Sequence, residues 1–138
     1  MAIINQAPRA EGGCLCGHVR YLVEGPLRPI IACHCTQCRR QTGHYLASTA
    51  AKRADFTLTR ADGLKWYDSS DIARRGFCAD CGSVLFWDGL GADYVAIAAG
   101  SLDSPTGLRI ARHIFTADKG DYYEIGDGLP QSPAGLSG

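Results

Sequence analysis

Seven cysteines in a chain of 138 residues fall into groups spaced like metal ligands: Cys14 and Cys16 in GGCLCG, Cys33, Cys35 and Cys38 in CHCTQCRRQTG, and Cys78 and Cys81 in GFCADCGS. Thiolates two or three residues apart can converge on one ion where the backbone turns around it, and Gly17 and Gly82 permit the dihedrals such a turn needs. The first and last pairs together supply four sulfurs, a closed tetrahedral zinc site. Closing the loop from Cys16 to Cys78 costs about 3 to 4 kcal/mol of chain entropy, whereas structural zinc contributes about 10 to 16 kcal/mol in small peptides at neutral pH. A redox pair at Cys78 and Cys81 is the competing reading. Such pairs open a helix in a βαβ setting, and here Val84, Leu85, Phe86 and Trp87 follow as a strand-like run.

The triplet stops one ligand short. Cys33, Cys35 and Cys38 face one ion if a strand ends at Cys33 and a helix cap opens at Thr36. Three protein ligands and an open position describe a catalytic or substrate-binding zinc. His34 lies between two ligands in an extended stretch, where alternation points it away from the metal. A closed site of three cysteines and one histidine remains the alternative, with His44 in reach after one helical turn; His18 and His113 are isolated and read as structural. Three thiolates around Zn²⁺ leave a net charge of minus one, so the ion polarises water weakly. Its stronger chemistry is to bind a further thiol and keep it deprotonated as a nucleophile.

The elements that must carry these residues read as strands. Val19, Tyr21 and Val23 alternate on one face, and their phase against Cys14 and Cys16 breaks near Gly17, a tight turn or bulge. DFTLTRADGLKWYDS reads as two strands around an Asp62-Gly63 hairpin turn; DYVAIAAGSL and IARHIF add two more. The single helix expected is the short one after Cys35. The tail GDGLPQSPAGLSG is rich in Gly, Pro and Ser and reads as loose after Gln131.

Length fits one domain. Fourteen basic residues balance fourteen acidic ones, so nothing global steers the chain to nucleic acid or a membrane surface. MAIINQAPRAEGG lacks an export signal, and the longest apolar run, Tyr94 to Ala99, falls far below the roughly 18 residues of a membrane span. The expectation is a cytoplasmic protein with reduced thiols. Arg39 and Arg40 directly follow the triplet and Arg74 and Arg75 precede the second pair; guanidinium forks suit carboxylates, and Arg39 and Arg40 are the stronger candidates because sequence alone keeps them beside the open site. Trp66, Trp87, Tyr122 and Tyr123 are candidates for pocket walls, though strand aromatics more often serve the core.

The order GGCLCGHVRY, CHCTQCRRQTG, FCADCGSVLFW, GSLDSP and HIFTADKGDYYEIGDGLPQ resembles the glutathione-dependent formaldehyde-activating family, which also includes centromere protein V. The match runs from about Gly12 to Gln131. The resemblance implies a mainly β, tent-like fold of antiparallel sheets held by two zinc ions. It places Cys14, Cys16, Cys78 and Cys81 on a structural zinc and Cys33, Cys35 and Cys38 on a catalytic one. It implies carbon-sulfur lyase or synthase chemistry, with glutathione and a small aldehyde such as formaldehyde as partners and S-hydroxymethylglutathione as the founding product. Asp121, Tyr122 and Tyr123 stand where a tryptophan is common in the family. The expected organisation is an extension at 1–11, a zinc-binding β domain at 12–131 and a flexible tail at 132–138. A non-catalytic zinc-stabilised binding module is the second reading.

Overall fold

A computed structural model describes residues 8–135; residues 1–7 and 136–138, most of the expected extension and the end of the tail, lie outside the described residues. Ten strands and one helix follow in the order β1 (Arg9–Gly13), β2 (Val19–Glu24), β3 (Ile30–Cys33), α1 (Thr36–Thr42), β4 (Leu46–Lys52), β5 (Phe56–Ala61), β6 (Leu64–Asp68), β7 (Ala73–Cys78), β8 (Val84–Gly89), β9 (Tyr94–Ala98) and β10 (Ile110–Ile114). The mainly β class with a single short α-helix after the triplet is as expected. A small sheet has the order β1-β2-β5, and a large one β10-β3-β4-β9-β8-β7-β6.

The core lies between the two sheets. Val19, Tyr21 and Val23 turn one face of β2 inward, as their alternation requires, against Leu85, Phe86, Val95 and Ile97 of the large sheet. Tyr21 meets Phe86 edge-on with ring centroids 5.4 Å apart, and Phe56 packs on Phe86 at 5.2 Å, geometries that ring quadrupoles favour. Beneath Tyr21 only glycine fits: a Cβ on Gly12 would lie 2.4 Å from the tyrosine oxygen.

Three expectations change. The turn at Asp62-Gly63 exists, but β5 pairs with β2 and β6 with β7, so it carries the chain from one sheet to the other instead of closing a hairpin. The turn's backbone groups are taken by the cysteine turns: Gly63 N–H donates to the His18 carbonyl at 3.3 Å, and the Gly63 carbonyl accepts from Ala79 N–H at 2.7 Å. Sheet pairing is antiparallel except at one edge, where β10 runs parallel to β3. The tail is tied down through Ala134: β10 and the residue after it need partners for their outer backbone groups, and Ser132 N–H donates to the His113 carbonyl at 2.9 Å while Phe115 N–H donates to the Ala134 carbonyl at 2.8 Å. Among the described residues no helix is long and apolar enough to cross a membrane.

Candidate metal centres and the cavity beside the triplet

The first centre forms where two β-turns meet. Cys14 follows β1 in the turn to β2, Cys78 closes β7, and Cys81 sits in the turn to β8. Gly17 and Gly82 have φ of 86° and 78°, the left-handed backbone expected for these turns. The sulfurs of Cys14, Cys16, Cys78 and Cys81 all lie within 4.8 Å of one another. Cys14 and Cys16 are 3.7 Å apart and Cys16 and Cys78 3.8 Å, matching the roughly 3.8 Å edge of a tetrahedron with Zn–S of about 2.3 Å. The two turns also grip each other directly, Leu15 N–H donating to Ser83 Oγ at 2.9 Å and His18 Nδ1 bonding Asp80 Oδ2 at 2.7 Å.

The second centre draws Cys33 from the end of β3 and Cys35 and Cys38 from the start of α1, again with all sulfurs within 4.8 Å. Cys35, not Thr36, is the N-cap: it is extended, with φ −62° and ψ 160°, and its Sγ accepts from Cys38 N–H at 3.3 Å. The helix stops at Gly43, whose φ of 80° closes a left-handed cap. Crowding couples the three thiols. Contacts with Cys33 and then Cys38 pull Cys35 down to about 2, while Cys35 and Cys38 drive Cys33 far up. In the first centre the Ser83 hydroxyl and N–H pull Cys81 down to about 5. Neighbouring sulfurs and burial together keep part of each cluster protonated; a dication at the centre offsets both. Both donor sets therefore fit zinc, one with four sulfurs and one with three.

His34 points away from the triplet, as alternation requires, and is fully buried. Its Nδ1 lies 2.5 Å from the Tyr123 hydroxyl and its Nε2 2.9 Å from His113 Nδ1, while His113 Nε2 meets Asp127 Oδ2 at 2.7 Å. The Asp127 carboxylate accepts only, which sets the direction of the chain: His113 donates to Asp127, His34 to His113, and Tyr123 to His34. Burial, with His113 next to it, holds the His34 imidazole down at about 4, so it is neutral at pH 7. His44 lies over Tyr123, with ring centroids 4.3 Å apart; it is not among the clustered ligand atoms. The sequence treated His113 as isolated; only the pairing of β10 with β3 brings it to His34, and no local signal marks that contact.

A cavity of about 380 Å³ opens beside Cys33, Cys35 and Cys38 on the face of the large sheet opposite the core. The arginines lining it are Arg28 and Arg75. Arg75 is 6% exposed; its Nη1 donates to Cys38 Sγ at 3.4 Å and to Gln41 Oε1 at 3.0 Å, and its Nε has no partner among the described residues. Arg39 instead donates through Nε to the Asp118 carbonyl at 3.2 Å. Arg40 lines a groove of about 610 Å³ between α1 and β6, β7 and β8, and Arg75 is the residue common to groove and cavity. Of the candidate aromatics, Trp87 lines the cavity. Trp66 packs on Phe86 and under Arg74, whose guanidinium carbon lies 4.0 Å from its ring centroid.

Residues 9–118 match the family model described as glutathione-dependent formaldehyde-activating enzyme. A Schizosaccharomyces pombe protein named as an uncharacterized lyase is 30% identical over 83 residues, 58% of this chain; the chain spans 58% of that relative's length. A crystal structure of a Rhodobacter sphaeroides protein is similar with a TM-score of 0.58 at 25% identity, covering 70% of this chain and 91% of that one.

Proposed function

Because the chain belongs to the glutathione-dependent formaldehyde-activating family, we propose that it is a zinc-dependent carbon-sulfur lyase or synthase, joining a thiol such as glutathione to a small aldehyde and separating the two. The observation that carries this reading is the uneven division of sulfurs, four in one cluster and three in the other, with the cavity on the side of the three. Cys14, Cys16, Cys78 and Cys81 would hold the structural ion, and Cys33, Cys35 and Cys38 would hold the catalytic one with three sulfurs where zinc takes four ligands. Zinc bound there supplies the Lewis acid that keeps a visiting thiol deprotonated at neutral pH.

The chain's own residues supply the rest. The thiol sulfur bonds the carbonyl carbon, the C=O π pair moves to oxygen, and the proton lost by the sulfhydryl ends on that oxygen; the reverse path releases the aldehyde. Arg75 sets a fixed positive charge against Cys38, offsetting the surplus negative charge of three thiolates. Arg40 on the groove wall gives a carboxylate of glutathione a guanidinium partner, whereas Arg39 is turned onto the Asp118 carbonyl. His34 holds the backbone between Cys33 and Cys35 through its two ring nitrogens.

The test uses the zinc-loaded chain with glutathione and ¹³C-formaldehyde, reading exchange between free and thiol-bound carbon by NMR. Exchange faster than without protein is expected, and Cys35→Ser is expected to remove it while the cooperative melt survives. Serine is itself a good N-cap, so this variant keeps the helix start and loses the ligand. Exchange unchanged by the wild-type protein would overturn the reading.

A further inference from the structure

The cavity is larger and less polar than a formaldehyde adduct needs. It holds about 380 Å³, where one water takes about 30 Å³ in the liquid, and formaldehyde adds only one carbon and one oxygen to a thiol. Its size falls within the range of sites that enclose whole small molecules. Ile31, Leu46, Ile72, Trp87, Ala96 and Ile114 make the apolar part of its wall, with the polar side chains Ser48, Ser70 and Tyr94 beside them. Of its two cations, Arg28 is turned onto Ser48, its Nη2 donating to the Ser48 carbonyl at 3.0 Å, and Arg75 is turned onto Cys38 and Gln41. Such walls match poorly with glutathione, which carries two carboxylates, an ammonium and two amides. The groove on the far side of Arg75 is lined by Trp66, Phe77 and Val84 as well, but it adds Gln37, Arg40, Gln41 and Lys65, cations and amides that the cavity, with both its arginines engaged, does not offer.

We infer that the cavity receives the carbonyl-derived half of the adduct, and that this half is an apolar chain or ring: the electrophile is an aliphatic or aromatic aldehyde of several carbons. The peptide part of the thiol lies outward, across Arg75, with its sulfur at the triplet between the two. The bond chemistry is unchanged, sulfur to carbonyl carbon with the proton delivered to oxygen. What the cavity adds is selectivity, because each methylene moved from water onto these walls tightens binding about fourfold. This inference rests on the reading of the triplet as a thiol site.

Two stable thioethers, S-hexylglutathione and S-methylglutathione, test it by isothermal titration into the zinc-loaded full chain. The hexyl compound is expected to bind at least tenfold more tightly, and Ala96→Leu, which pushes a larger side chain into the cavity, to cut that preference. Equal affinities in the wild-type protein overturn the inference whether or not the variant folds. Turnover of hexanal and formaldehyde with glutathione separates this outcome from failure of the lyase reading. Formaldehyde turnover without a hexyl preference rejects the cavity's ligand class and leaves the thiol site standing. A hexyl preference with neither aldehyde turned over upholds the ligand class and removes the lyase.

Discussion

Arg75 and Cys38 share one buried contact in which a guanidinium faces a sulfur. Replacing the charge with an apolar chain of similar length leaves the cluster's surplus negative charge without its neighbour. Arg75→Met is expected to lower kcat/KM by about 10- to 100-fold, the usual cost of losing a partner that supports a metal ligand, with zinc content at the four-sulfur centre unchanged by elemental analysis. Cys14→Ser acts elsewhere: Cys14 belongs to the core cluster as well as to a metal centre, so the variant is expected to lose its cooperative thermal transition. If Cys14→Ser kept that transition and Cys35→Ser lost it, the structural and catalytic centres would be exchanged. The division of cysteines was legible because ligand spacing along the chain is itself the signal. Arg75 was weaker in the sequence than Arg39 and Arg40, because its contact with Cys38 spans 37 residues of chain and spacing carries no information at that range.

Among the elements, β3, β10 and the segment after it are held by the chain from Tyr123 through His34 and His113 to Asp127. Tyr123→Phe removes the donor to His34 Nδ1 and strands a buried acceptor, a loss of about 1 to 3 kcal/mol, to be read as a lower urea midpoint with an unchanged slope. The turn after β5 gives a second case. A Cβ on Gly63 would lie 2.8 Å from Cys78 Sγ and 3.0 Å from Asp80 Oδ2, so Gly63→Ala must displace a ligand. It is expected to weaken zinc retention at the four-sulfur centre in a chelator competition; retention equal to wild type would show that the turn does not press on the ligand. Alternation disclosed β2, and the run Val84–Trp87 disclosed β8. Asp62-Gly63 disclosed a turn, yet turn chemistry does not say which strands its two arms pair with; here that was decided by the cysteine turns that take its backbone groups.

For the whole molecule, two sheets share one core, and the four-sulfur centre joins the turn of the small sheet to a turn of the large one. Metal removal therefore acts on the fold: stripping zinc with a chelator at neutral pH is expected to abolish the cooperative melt, and adding zinc back to restore it, since binding free energy is folding free energy at such a site. The parallel pairing of β10 with β3 and the cavity on the outer face of the large sheet were not legible, because both arise from packing between distant segments. The most direct measurement is X-ray absorption at the zinc edge on the full chain loaded with two ions, with and without glutathione. Clusters of four and three thiols require an average of three and a half sulfurs per zinc alone, rising to four when glutathione is added. Four sulfurs per zinc before addition, or a number that glutathione leaves unchanged, would contradict an open thiol site at Cys33, Cys35 and Cys38.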